Sequence, residues 1–193
     1  MNHTGTVPLQ TGRLLLRPLT LQDTEMMYAN WANDPDVTRF LRWEPHKNWM
    51  VTAEYLAEVA RHYGEPDFYE WGITLRATGE LIGTVCLCRC EPERPGAWKF
   101  PARAALGEAW EPGYVIGPNW QGRGYATEAL DAVCSHWFGP VGGLWLAAHH
   151  ANPNVASAAV LQKAGFVYDH TTEYHRFDGT ARPCRAHYRL AQG

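Results

Sequence analysis

The chain has 193 residues, 46% of them hydrophobic and 19% charged, with a formal net charge of −3. Such a balance suits one folded domain with a sizeable core, excludes a disordered or collagen-like chain, and argues against tight nucleic-acid binding. No run approaches 18 apolar residues without a charge, and residues 1–11 lack the basic cluster and apolar segment of a signal peptide, so a cytoplasmic protein without membrane contact is expected.

Residues 13–19 read as a first strand, and 20–23 offer caps for a helix through Met26, Met27, Ala29, Asn30 and Trp31. A second helix is expected over 52–63. The intervening 37–50, with Arg39, Phe40, Arg42, Trp43 and Trp49, reads as an aromatic and basic loop. Residues 68–75 and 81–90 form a hairpin around Ala77-Thr78-Gly79-Glu80. On its second arm Cys86, Cys88 and Cys90 recur with period two and so share a strand face. No Cys or His pair lies nearby at zinc-ligand spacing, which makes core packing the better reading and metal binding the poorer. Five scattered cysteines suit buried free thiols. Residues 91–107 are rich in Pro, Gly and Arg and longer than a hairpin loop needs. A mobile lid and a tolerated insertion both remain open there.

Glu111-Pro112-Gly113-Tyr114-Val115-Ile116 reads as a strand in which Pro112 cannot donate to a ladder, so the strand is expected to be irregular or unpaired on one side. A glycine-rich turn follows, Gln121-Gly122-Arg123-Gly124, and then an apolar stripe of Ala126, Ala129, Leu130, Val133, Cys134, Trp137 and Phe138 at helical spacing. The first amides of that helix lack partners within it and carry partial positive charge, which makes the junction an anion site. A third glycine at position 127 and a Gly-Lys-Ser/Thr run are both absent, so neither the dinucleotide nor the Walker reading fits. After a strand over 144–148, Asn154 and Gly165 bracket a short helix as N-cap and left-handed end residue. His149 and His150 would point to opposite faces of a strand and cannot chelate together. A hairpin over 167–176 and 184–190 closes the chain.

Gln121-x-x-Gly124-x-Ala126 resembles the acyl-CoA pyrophosphate loop of the GCN5-related N-acetyltransferases (GNAT), and Asn154-x-x-Ser157 with Lys163-x-Gly165-Phe166 resembles their second signature. That second form, like the Arg-Leu-x-Leu-Arg-x-Leu strand with its later Asp and Asp-Pro in 13–36, is similar to the RimJ/RimL-like branch, which acetylates protein N-termini. The resemblance implies an α/β (α+β) GNAT fold: a mixed central sheet of about seven strands, the fourth and fifth splayed apart, with about four helices. It implies one domain over 1–193, with 1–12 as an N-terminal extension and 91–107 as an inserted loop. It further implies acetyl-CoA as co-substrate, held by Gln121, Gly122, Arg123, Gly124, Tyr125, Ala126 and Asn154 and by backbone near Ile116, and no metal.

The chemistry implied is acetyl transfer to a primary amine, which needs a base for the amine and a donor for the departing thiolate. The Tyr that many members use as donor is replaced here by Leu161. Ser157, one turn earlier, is the substitute that the branch suggests, although a hydroxyl at a third helical position is also common for local reasons. For the base, Glu111 in the family's Glu-x-Gly-Tyr place is preferred over Glu108. The acceptor implied is a protein N-terminal α-amine. A small amine (amino acid, polyamine or antibiotic) and a non-catalytic acyl-CoA-binding module are the alternatives, and a homodimer is left open.

Overall fold

The computed structural model describes residues 1–90 and 101–191, so most of the expected inserted loop, 91–100, lies outside the described residues. Among the described residues, eight strands form two antiparallel sheets. The first runs β1 (Leu9–Gln10), β2 (Leu14–Arg17), β3 (Tyr69–Leu75), β4 (Leu81–Arg89) and β5 (Trp110–Ile116), side by side in that order. The second is β6 (Trp145–Ala151), β8 (Ala181–Leu190) and β7 (Val167–His175), with β8 in the middle. Because the short β1 precedes the expected first strand, the strands foreseen as the splayed fourth and fifth are β5 and β6. Among the described residues the strands number eight, in keeping with the about seven expected.

Alternation fixes the faces. In β2, Leu14 and Leu16 are fully buried whereas Leu15 and Arg17 are only half-buried. Helix α4 (Tyr125–Phe138) covers that inner face, and its stripe behaves as expected: Ala129, Leu130, Val133, Cys134 and Trp137 are all 0% exposed, with Ala126 and Phe138 packed at the rim. α5 (Val155–Lys163) contributes Leu161, and the residues after it, Ala164 and Phe166, join the same core. On the opposite face, Leu19, Met27, Trp31, Leu56, Leu81 and Val115 make a second cluster beneath α3 (Trp49–His62) and the helical segment after β2. That segment is not one regular helix. It passes from a 3₁₀ turn, Leu21–Asp23, through α1 (Thr24–Met27) into a π-helical turn, Tyr28–Ala32, and α2 (Pro35–Thr38) follows.

Two expectations about this region need correction. Residues 37–50 are not all loop, because Thr38 ends α2 and Trp49 opens α3. The earlier start of α3 has a local cause: the Asn48 side chain accepts hydrogen bonds from the amides of Met50 and Val51, an N-cap that precedes the expected boundary by several residues. Of the 101–107 remainder, Pro101–Leu106 is a 3₁₀-helix.

β5 and β6 are neighbours without a ladder between them, since β5 pairs only with β4 and β6 only with β8. The Gly117 amide donates to the Ile82 carbonyl on the β4 side, and the Ile116 carbonyl accepts from the Gln121 side chain on the other. By alternation the main-chain groups of Pro112, Tyr114 and Ile116 face the open side. The proline therefore costs no ladder bond, and the strand is regular and unpaired on that side.

Candidate active site

Two hydrogen-bonded side-chain pairs span the opening between the sheets. Glu111 on β5 meets His149 on β6 (Oε1 to Nδ1, 2.8 Å), and Tyr114 on β5 meets Ser157 in the first turn of α5 (Oη to Oγ, 2.8 Å). All four side chains line one cavity of about 530 Å³. His149 is 3% and Glu111 19% exposed, so their contact is partly shielded from water. His150 turns the other way and packs on His187, with ring centroids 5.1 Å apart, as expected for adjacent strand residues.

Register builds the cavity floor. On β4, Thr84, Cys86 and Cys88 share one face; Glu70 of β3 lies opposite Cys86, while Val115, Gly113 and Glu111 of β5 lie opposite Thr84, Cys86 and Cys88. A β-carbon on Gly113 would stand 2.9 Å from the Cys86 sulfur, so the glycine keeps this floor open. Phe40, Arg42 and Trp43 form one wall, with Tyr174 and Phe177 of the closing hairpin. Of the aromatic residues in the 37–50 stretch, Trp49 does not take part. It sits on α3, 57% exposed. The expected core role of the β4 thiols is also corrected: Cys86 and Cys88 line the cavity, their sulfurs 3.7 Å apart. All five cysteines are free, and only Cys134 and Cys184 are fully buried. Among the described residues, no group of three or more His, Cys, Asp or Glu side chains could hold a metal ion.

Burial sets the ionisation of the cavity's side chains. It pushes the Tyr114 hydroxyl up to about 12, so this group keeps its proton at neutral pH and can donate. Burial likewise pushes the Glu70 carboxyl up to about 8 and holds the Tyr55 hydroxyl well above its ordinary value. Glu108 has a different setting. It precedes β5, is 54% exposed on its side chain, and pairs with Arg89 at 3.3 Å, as a solvated carboxylate would.

Gly122 and Gly124 both take left-handed backbone, at φ +74° and +79°, and a β-carbon on Gly124 would stand no closer than 3.6 Å to the chain, at the Arg13 guanidinium. Gly124 is the N-cap of α4 and supplies no side chain to its first amides. Arg123 is exposed, whereas Tyr125 and Ala126 are half-buried at the helix start. Gln121 is exposed, and its side-chain amide donates to the Ile116 carbonyl at 2.8 Å, so this carbonyl, part of the backbone expected to hold acetyl-CoA, already has a partner in the chain. The loop is braced from far away in sequence: Arg13 at the head of β2 donates to the Arg123 carbonyl (3.0 Å), pairs with Glu128 (2.6 Å) and lies over the Tyr125 ring (4.6 Å). Asn154 accepts from the Ser157 amide at 3.1 Å, which caps α5 and fixes where the Ser157 hydroxyl sits.

Sequence reasoning missed His149, Tyr114 and Glu70 as members of this site. Two of them left a signal: Tyr114 closes the Glu-x-Gly-Tyr motif that begins at Glu111, and Glu70 is a lone carboxylate between Tyr69 and Trp71 in an apolar strand.

A scan of family models matches residues 13–167 to the acetyltransferase (GNAT) domain. The chain is 34% identical over 158 residues to YoaA, an uncharacterised N-acetyltransferase of Bacillus subtilis (strain 168), covering 82% of this chain and 81% of the relative. Among solved structures, an acetyltransferase of the GNAT family from Bacillus anthracis superposes with a TM-score of 0.77 at 18% identity, over 97% of this chain and 100% of that one. A putative ribosomal-protein-serine acetyltransferase from Vibrio cholerae gives 0.77 at 20% identity, over 97% and 99%. The chain belongs to the GNAT acetyltransferase family, and the divided sheet with its opening between β5 and β6 is the fold of these neighbours.

Proposed function

We propose that the protein transfers the acetyl group of acetyl-CoA to a primary amine, with a protein N-terminal α-amine as acceptor. The observation that carries this reading is the pair of contacts across the β5–β6 opening, Glu111 with His149 and Tyr114 with Ser157, which supports a proton acceptor and a proton donor acting in one cavity. Acetyl-CoA supplies the activated thioester. The open first turn of α4 suits its phosphates and the opening between the strands suits its arm.

The amine attacks only after losing a proton, and Glu111 accepts it through a water molecule, with the His149 ring holding the carboxylate in place. As the nitrogen–carbon bond forms and the carbon–sulfur bond breaks, the Ser157 hydroxyl donates to the departing sulfur. Tyr114 supports it: when the phenol donates to Ser157 Oγ, the serine proton is left to point into the opening. An N-terminal acceptor is supported by the resemblance of the Asn154–Phe166 segment to the RimJ/RimL-like branch and by the description of the Vibrio cholerae neighbour as a ribosomal-protein-serine acetyltransferase. A cytoplasmic location accords with the lack, among the described residues, of any helix long and apolar enough to cross a membrane.

The test is thiol release from acetyl-CoA against a panel of N-terminal peptides and small amines. For Glu111→Gln, kcat at pH 7 is expected to fall about 100-fold and to recover partly at high pH, where free amine is abundant. A fully active Glu111→Gln beside an inactive Glu108→Gln would transfer the base to Glu108. Turnover confined to small amines would replace the N-terminal acceptor by the small-molecule one.

A further inference from the structure

Glu70 has no part in the chemistry just described, yet it occupies the cavity floor. On β3 its neighbours Tyr69 and Trp71 are buried at 2% and 0% on the core side, and Glu70 points the opposite way. It lies in register with Cys86, one row along from Cys88 and Glu111. The groups facing it are Tyr55 of α3, Tyr63 just after that helix, and Cys86 and Cys88 of β4, all acids or neutral donors. Among the described residues, no Lys, Arg or His forms an ion pair with it, whereas Glu111 has His149. A half-buried carboxylate on a cavity floor with no cation paired to it is costly when ionised, and packing alone would be served better there by an apolar residue.

We infer that Glu70 holds a second cationic group of the acceptor, so that the preferred acceptor is dibasic, with its reacting amine toward Glu111. This rests on the acetyl-transfer reading and sharpens it. Two strands across and two residues along put the α-carbons of Glu70 and Glu111 roughly 12 Å apart, and side chains leaning into one cavity leave a span of roughly 6 to 8 Å. Such a span fits the two nitrogens of a four- or five-carbon diamine. It also fits the α-amine and side-chain cation of a peptide that begins with Lys.

The burial of Glu70 gives the binding step a proton signature. With its carboxyl pushed up to about 8, Glu70 carries a proton in the empty cavity at pH 7. A cation placed against it favours the ionised form, so a proton leaves on binding at pH 7 and none leaves well above pH 8.

The experiment compares 1,4-diaminobutane with butylamine, and a peptide beginning Lys with one beginning norleucine, on the wild type and on Glu70→Gln. Initial rates and calorimetry in two buffers of different ionisation enthalpy are read together. In the wild type, one dibasic acceptor is expected to exceed its monobasic counterpart about tenfold in kcat/KM, chiefly through KM, with proton release on binding. Glu70→Gln, which keeps the side-chain shape, is expected to bring that ratio to within about twofold and to abolish the release. The arm that shows the preference tells a diamine from a peptide. Equal use of both members of each pair by the wild type, or a preference that survives Glu70→Gln, overturns the inference. Absence of turnover with every amine would defeat the acetyl-transfer reading instead, and the calorimetric comparison would still decide for or against Glu70.

Discussion

The two helices that border the opening begin in opposite ways. α5 starts at Asn154, whose side chain accepts from the Ser157 amide, so the helix satisfies its own first turn. α4 starts at Gly124, a left-handed residue with no side chain to offer, and its first amides receive no side-chain cap. A helix start that carries its own acceptor is built for stability, and here it also sets a hydroxyl in position. A helix start stripped of one is left for an acceptor that comes from outside. The sequence separates the two by a single kind of residue at the cap.

The contrast can be broken most severely at Gly124. In Gly124→Val a β-branched residue would have to hold φ near +79° and would crowd the amides, so affinity for acetyl-CoA, measured by calorimetry on folded protein, should drop about 100-fold or more. Unchanged affinity would remove the anion site from α4. Ser157→Ala comes next. It leaves the Asn154 cap intact while deleting the hydroxyl beside Tyr114, so kcat should fall about tenfold with little change in the KM for acetyl-CoA. Matching losses in both parameters would make Ser157 a binding or packing residue. The smallest effect belongs to Asn154→Ala, where loss of the cap should cost about 1 kcal/mol of stability in denaturant unfolding. A fall in acetyl-CoA affinity larger than the stability change explains would place Asn154 against the co-substrate, as the family resemblance implies.

These boundaries were readable because their causes are local. Gly124, Asn154 and Gly165 act on residues within one turn, and the apolar stripe of α4 is a periodicity of fourteen residues. The Asn48 cap was equally local, but the aromatic stretch before it drew the helix start too far along. The site was legible only in its glycine loop and in single members of each pair. Glu111 and His149 are 38 residues apart, Tyr114 and Ser157 are 43, and Arg13 reaches Glu128 over 115. No window of sequence contains such a contact; it exists only once the strands have chosen their neighbours. Glu70 shows the same limit: its charge was visible in an apolar run, but the register that aims it into the cavity was not.

Pro112 has a meaning beyond the strand that contains it. An exposed strand edge is adhesive, because every amide and carbonyl along it can capture another backbone. The opening between β5 and β6 is two such edges facing one another, and full pairing would seal it into one continuous sheet with no room for a substrate. By presenting a ring where a donor would stand, Pro112 spoils the rung beside Glu111 from the open side and makes the edge a poor template for β6 or for a strand of another molecule. The same residue that leaves the ladder to β4 intact thus guards an unfinished sheet in two ways, against closure by β6 and against capture by a strand of another molecule.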